Sequence, residues 1–370
     1  MSTLDVEIQL LAVVVAVACA LPGVFLVLRR LALMSDAISH SILLGIVLAF
    51  FWVQDLAHPF LVLAATATGV LTVALVEALH RTRRVKEDAA IALVFPALFS
   101  MAVLLIARYA GDVHLDVDAV LLGEIAFSPF RRLEVAGMDL GPRSLWLMAV
   151  ILVLNIVALA VFWKELKVST FDAGLAAAMG FSPALIHYGF MGLVSVTAVG
   201  AFDAVGSILV VALMIAPPAA AWLLTDRLPV MVVLSGALAA LSAVAGFWAA
   251  RAIDASIAGS MAAMAGVVFL AALLFAPDRG VVAGVRRRAR QRLDFARTML
   301  MVHLLNHEGS ARARVENQMD HLQEHLRWSP EFARRVVRRA ERQGLLERRP
   351  GGRLRLTPLG REEARHRMVR

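Results

Sequence analysis

Cysteine is almost missing from this sequence: the single Cys19 lies in an apolar run. One thiol excludes an intrachain disulfide and any cysteine-rich metal site. Charge is nearly as scarce. Only 18% of the 370 residues are charged, 60% are hydrophobic and the mean hydropathy is +0.74. A soluble domain has no use for that much apolar surface, so an integral membrane protein is the expected class. A third absence concerns energy. No G-x-x-x-x-G-K-[ST] pattern occurs anywhere in the chain, so it does not hold ATP in the P-loop manner and is not expected to be an enzyme. The opening MSTLDVEIQLL is acidic rather than basic before its apolar run and lacks a convincing cleavage site; a retained helix is expected there, not a signal peptide.

The charge that is present sits unevenly. From Asp278 onward there are 23 Arg, no Lys and 11 acidic residues, a net +12, whereas residues 1–277 carry a net −4. The shift divides the chain into a membrane body at 1–277, a basic linker at 278–291 and a cytoplasmic domain at 292–370. Within the body, apolar stretches recur at 8–28, 37–54, 56–76, 89–107, 144–163, 184–202, 204–225, 228–250 and 255–277. A span needs about 20 residues, so these predict about nine crossings. Basic loops orient them: Arg29 and Arg30, residues 80–86, Lys164 and Lys167, and the tail all become cytoplasmic if the chain starts outside and 110–142 begins and ends outside. The stretch VLLGEIAFSP within 110–142 is too short to span and reads as a re-entrant or interfacial element.

Against this background Asp36 and His40 stand out at the head of LALMSDAISHSILLGIVLAF, residues 31–50. Four residues apart, they share one face of a helix, and a carboxylate with an imidazole can hold a divalent cation between them. Ionisable groups in a membrane helix are costly and face the bundle interior or a polar pathway. The plain alternative makes Asp36 a helix N-cap and His40 a neighbour's hydrogen-bond partner. The loop KELKVSTFDAGLAAAMGFSP, 164–183, predicts a short helix with Asp172 as N-cap and Gly180 and Pro183 as its stop; it is either a connector or a docking helix. Pro217 and Pro218 remove backbone donors inside a span and predict a kink. Asp203, polar within an apolar region, suits an external turn.

The tail reads differently. Residues 292–306 and 312–327 predict helices, and a third runs over 329–343 with Ser329 as N-cap, Pro330 at the first position and Gly344 as its end. LLERRPGGRLRLTPLG predicts two short strands around Pro350, Gly351 and Gly352. Three helices and a hairpin make a winged helix, a small α+β domain. Arg334, Arg335, Arg338, Arg339 and Arg342 recur along its third, recognition-type helix. Such a face suits phosphate, and equally anionic inner-leaflet lipid or a cytoplasmic protein. A membrane tether handicaps a DNA reader, so membrane lipid is an expected partner and nucleic acid is not. His303 with His307 and His321 with His325 are i, i+4 pairs that could present regulatory metal-binding faces; ordinary solvated histidines are the alternative.

Five stretches occur in order: LMSDAISHSILLGIVLAF, EDAAIALVFPALFSMAVLLIA, LLGEIAF, FDAGLAAAMGFSP and VGSILVVALMIAPPAAAWLLT. Together they resemble the permease subunits of metal-ion ABC importers over roughly residues 8–277. The resemblance implies an all-α polytopic membrane bundle in the bacterial cytoplasmic (inner) membrane with its C-terminal domain in the cytoplasm. It implies import of Mn²⁺, Zn²⁺ or Fe²⁺ by alternating access, with the metal as substrate and no tightly bound cofactor. It implies three partners: an ABC ATPase subunit, an extracytoplasmic metal-binding protein and a second permease subunit, the same or different. Carried over residue by residue, Asp36 and His40 would serve metal passage, with Glu124 as a secondary ligand. Asp172, Ala173, Gly174, Leu175, Ala176, Ala177, Ala178, Met179 and Gly180 would form the helix that engages the ATPase. The tail sequence GLLERRPGGRLRLTPLGREEA is similar to the winged-helix domain of metal-dependent repressors of the diphtheria-toxin-repressor type. Two other readings stay open: a permease for a chelated metal or siderophore, and a membrane-tethered, metal-responsive DNA-binding regulator. A carboxylate with one imidazole suits manganese or iron slightly better than thiolate-loving metals, and zinc remains open.

Overall fold

Lipid offers no hydrogen-bond partners, so apolar stretches of this length satisfy their backbones internally as helices. The computed structural model describes residues 3–54, 58–109, 125–135, 138–308, 317–318, 326–350 and 352–368. Its first helices are α1 (Thr3–Leu28), α2 (Ala32–Val53), α3 (Pro59–Arg81) and α4 (Glu87–Tyr109). A 3₁₀ helix at Ile125–Phe130 and two strands, β1 (Arg132–Val135) and β2 (Met138–Pro142), lead to α5 (Arg143–Val161). The short α6 (Trp163–Phe171) and α7 (Ala173–Ala178) precede α8 (Pro183–Val205), α9 (Ser207–Leu224), α10 (Leu228–Ile253) and α11 (Ile257–Phe275). Among the described residues, nine of these helices are long and apolar enough to cross a membrane. The chain divides into two units, Met1–Gly280 and Val281–Arg370.

In the first unit α1 is apolar on every side and correspondingly enclosed. It packs against α5, α8, α9 and α10, and Leu11, Val15, Cys19, Phe25 and Leu26 are wholly buried. Around it, α2 packs on α3 and α4, and α9 and α10 pack on α11. Small residues permit close approach: a side chain at Gly23 would strike the Met214 carbonyl and the Pro218 ring, and one at Gly45 would strike Ala64 and Thr68. Pro217 and Pro218, where the sequence predicts a kink, are both buried inside the helix Ser207–Leu224, and the Pro218 ring packs on Gly23. Gly206 is the one residue between α8 and α9, and its φ of +78° suits glycine. Asp203 is not a turn residue; it lies in the last turn of α8, 3.6 Å from Arg131.

Among the described residues of this unit the buried polar groups are mostly tied, Glu77 Oε2 and Glu165 Oε2 being buried oxygens without a hydrogen-bond partner. Asn155 on α5 donates to the Ala18 carbonyl of α1 at 2.9 Å and to Thr197 Oγ1 of α8 at 3.0 Å. Thr197 in turn donates to the Leu193 carbonyl. One amide therefore links three helices. The segment 110–142 is expected to hold a re-entrant or interfacial element in its VLLGEIAFSP stretch. Its described part is the 3₁₀ helix, with Ile125 buried against the core, followed by an antiparallel hairpin with Arg132 opposite Pro142. Arg132 ion-pairs with Asp139 in the hairpin and with Glu7 of α1.

The second unit holds α12 (Val281–His307), α13 (Pro330–Arg342), β3 (Leu346–Arg348), β4 (Leu354–Leu356) and α14 (Pro358–Met368). The arginine-rich stretch read as a linker is helical from Val281, eleven residues ahead of the helix expected from 292. Ser329 caps α13, with its hydroxyl accepting from the Phe332 amide, Pro330 takes the first position, and Gly344 turns the chain at φ +69°, as the sequence predicts. The hairpin also forms, with Leu346 opposite Leu356. The helix expected over 312–327 is not what its described residues show. Gln318 makes a β-bridge with Arg353 and the Asn317 carbonyl accepts from the Leu354 amide, because the free edge of β4 takes a backbone partner there. Leu300, Met301, Leu304, Val336, Val337, Leu346 and Leu354 form the core of this unit.

Asn155→Leu strands the buried Ala18 carbonyl, whose helical partner position is Pro22 and has no N–H, and is expected to cost about 1–3 kcal/mol. The check is a thermal melt in detergent. The Thr197→Val change should cost less when added to Asn155→Leu than on its own, since the two groups share one network.

Candidate functional site

Asp36 and His40 stand in the first half of α2, on adjacent turns of one face. His40 Nε2 lies 3.3 Å from Asp36 Oδ1, with the two side chains 25% and 39% exposed. That exposure leaves an open side from which a cation can reach both groups. The capping alternative is overturned: α2 starts at Ala32 with Leu31 in the cap position and no side-chain cap. Asp36 is thus the fifth helical residue, beyond reach of the free amides of the first turn.

The walls of the site come from α4. His40 stacks on Phe95, with ring centroids 5.8 Å apart, and meets the edge of Phe99 at 5.9 Å. The two phenylalanines are themselves four residues apart, so an aromatic face of α4 matches the polar face of α2. The sequence reading did not single out this pair, although its spacing within FPALF was the available signal. The serines of α2 belong to packing. Ser35 and Ser39 donate to carbonyls of their own helix, and Ser41 accepts from Thr72 of α3 at 2.6 Å.

Among the described residues, no three His, Cys, Asp or Glu side chains converge as a metal cluster. One carboxylate and one imidazole supply half of a tetrahedral shell or less. Such a pair can pass an ion along but does not sequester it. Glu124, the expected secondary ligand, lies outside the described residues, as do His321 and His325.

The segment 172–180 is built by its caps. The Asp172 carboxylate accepts from the Leu175 amide at 2.9 Å and starts α7. At the other end, Gly180 at φ +87° lets the Phe181 amide reach the Ala176 carbonyl at 3.0 Å. Ser182 then caps α8 with Pro183 in its first position. Between these caps only Ala176 of α7 is buried, while Phe171, Leu175, Met179 and Leu185 are each more than half exposed. Of these apolar side chains, Phe171, Leu175 and Leu185 lie on helices and Met179 at the C-cap of α7.

In the second unit the His303 and His307 rings lie 4.6 Å apart near the end of α12. Of the five arginines on α13, Arg339 pairs with Asp294 of α12 at 3.0 Å and so serves packing. Arg335, Arg338, Arg339 and Arg342 line a cleft of about 450 Å³ with Leu293 and Gln343. Arg334 is exposed, its carbonyl accepting from Arg338.

The ABC 3 transport family model matches residues 6–276. The zinc transport system membrane protein TroD of Treponema pallidum is 50% identical over 357 residues, covering 96% of this chain and 97% of that protein. The manganese transport system membrane protein MntD of Bacillus subtilis is 49% identical over 270 residues, covering 73% and 91% respectively. Among solved structures, PsaBC from Streptococcus pneumoniae in complex with Fab superposes with a TM-score of 0.62 at 26% identity, covering 75% of this chain and 94% of that one.

Asp172→Ala removes the cap of a six-residue helix, a loss of about 1 kcal/mol. Hydrogen–deuterium exchange over 172–180 is expected to quicken several-fold, with Asp172→Ser close to the wild type.

Proposed function

This chain belongs to the ABC 3 transport family and is a membrane permease of a metal-ion ABC importer; from that premise we propose that it moves Mn²⁺, Zn²⁺ or Fe²⁺ inward by alternating access through a transient site containing Asp36 and His40. The observation that carries this reading is the 3.3 Å carboxylate–imidazole pair, open on one side and walled by Phe95 and Phe99. Two ligands per chain fall short of a coordination shell, and a second permease subunit related by a two-fold axis would double them to four. An extracytoplasmic binding protein would deliver the ion. Energy would come from a separate ATPase subunit docked on 172–180, where the exposed Leu175 and Met179 offer an apolar grip. One relative is named for zinc and another for manganese, and the donor set suits manganese or iron slightly better than zinc.

The tail supports a second, separate reading. The α13 helix, the β3–β4 hairpin and the bridge at Gln318 favour a winged-helix domain on the cytoplasmic side. Its arginine cleft would meet anionic lipid or an acidic protein, and the His303 and His307 pair is a candidate regulatory metal contact. The 357-residue alignment with the treponemal protein leaves too few residues over to stop short of this unit. The 270-residue alignment accounts for 91% of the Bacillus protein, so the tail adds to a body that suffices elsewhere.

Asp36→Ala and His40→Ala are each expected to abolish uptake of radioactive or isotopically labelled metal in the assembled transporter while leaving membrane expression intact; normal uptake in both variants would defeat the reading. Removal of residues 286–370 is expected to leave uptake measurable and to change its response to cytoplasmic metal, read from uptake by cells preloaded with Mn²⁺ or Zn²⁺.

A further inference from the structure

Three residues join α1 to α2, and the first of them reaches far across the bundle. Arg29 Nε donates to Thr170 Oγ1 and Nη2 donates to Ser169 Oγ, each at 3.0 Å. Ser169 and Thr170 end α6, directly ahead of Phe171 and the cap residue Asp172. The same guanidinium lies over the Phe190 ring of α8, 5.0 Å from its centroid. Phe25 of α1 meets Phe190 and Trp163, the first residue of α6, edge-on at 6.0 and 6.2 Å. Arg29 is thus the junction of three elements: the α1–α2 turn, the end of α6 and the first half of α8.

Its chemistry suits a moving joint. A planar guanidinium that grips two neighbouring hydroxyls is directional in a way a lysine ammonium is not. Because its hydrogen-bond partners are neutral hydroxyls, breaking the grip leaves no second, opposite charge unpaired, as rupture of a buried ion pair would. Burial pulls the Arg29 side chain down to about 10, so it is still charged at neutral pH. The turn that carries it is stiff. The Arg29 amide donates to Phe25 and the Leu31 amide to Leu26, at 2.9 and 2.8 Å, and Arg30 sits at φ +63°. Only Arg30 and Leu31 stand between Arg29 and α2, and Asp36 and His40 follow about 6 and 12 Å along that helix axis.

We propose that Arg29 is a coupling residue, whose two-pronged grip on Ser169 and Thr170 carries movement of the α6–α7 segment into the first turns of α2 and so opens or closes the Asp36–His40 pair. The proposal rests on the reading of 172–180 as the ATPase-docking helix and of Asp36 and His40 as the passage site, and it names what connects them. Arg29 positions; it does not touch the metal.

The test uses the whole transporter, with its ATPase subunit and binding protein, reconstituted in vesicles. ATP hydrolysis and Mn²⁺ or Zn²⁺ uptake are measured on the same samples for Arg29→Ala, Arg29→Lys and the double variant Ser169→Ala/Thr170→Val, which keeps the arginine and guards against misfolding. The expected result is hydrolysis near the wild-type rate with uptake per ATP reduced about tenfold, the size of an ordinary coupling between sites, and Arg29→Lys in between. Hydrolysis and uptake falling in proportion, as a merely structural residue would give, or no change in uptake per ATP, would overturn it. Failure of the underlying reading looks different: a Leu175→Glu/Met179→Glu variant that still binds an active ATPase subunit would remove the docking helix itself.

Discussion

Within a bilayer every buried polar group must find its partner inside the protein. The membrane unit meets that demand sparingly. Asn155 ties α5 to α1 and α8, Thr72 ties α3 to α2 through Ser41 and Ser195 ties α8 to α3 through the Thr66 carbonyl. The hydroxyls of Ser39 and Thr68 return to carbonyls of their own helices, and apolar contact fills most of the rest. With so few polar ties, the helices are set mainly by shape, through approaches at Gly23 and Gly45 that no larger residue would permit. Lipid does not drive helices together as water does, so small residues and single hydrogen bonds carry more of the specificity. The exposed face of the Asp36–His40 pair is the exception to this economy, and on the proposed reading it is the face the cargo uses.

The features legible in the sequence are those fixed by local chemistry. Apolar runs of about 20 residues announced the spans, and Asp172, Gly180, Ser329 and Gly344 announced helix ends because capping depends on neighbours a few residues away. What the sequence does not announce has a different cause. The fit of Pro218 on Gly23 arises between helices. The stretch 312–327 read as helix, yet the bridge from Gln318 depends on a strand at Arg353. The β1–β2 hairpin is too short to show a period-two pattern. The aromatic wall on His40 comes from a neighbouring helix. Arg29 entered the sequence reading only as an orientation marker, since the Ser169 it holds lies 140 positions further along the chain.

The two units follow different physical rules. Membrane helices such as α4 and α5 keep large apolar side chains on their outer faces, where lipid rather than protein is the neighbour on the family reading. The second unit buries a conventional core and covers it with arginines, several of them committed to Asp294, Glu308, Glu341 and Glu363. The positive charge of the tail is therefore partly structural, and the arginines of α13 that remain exposed are the ones available to an anionic surface.

The lone thiol has a practical consequence. Cys19 is wholly buried at the centre of α1, shut off from water-soluble maleimides while the bundle is intact. The natural chain thus serves as its own silent background: a cysteine introduced at an exposed position such as Leu175 or Met179 would carry a fluorophore or spin label as the one reactive thiol, without first stripping the protein of its own.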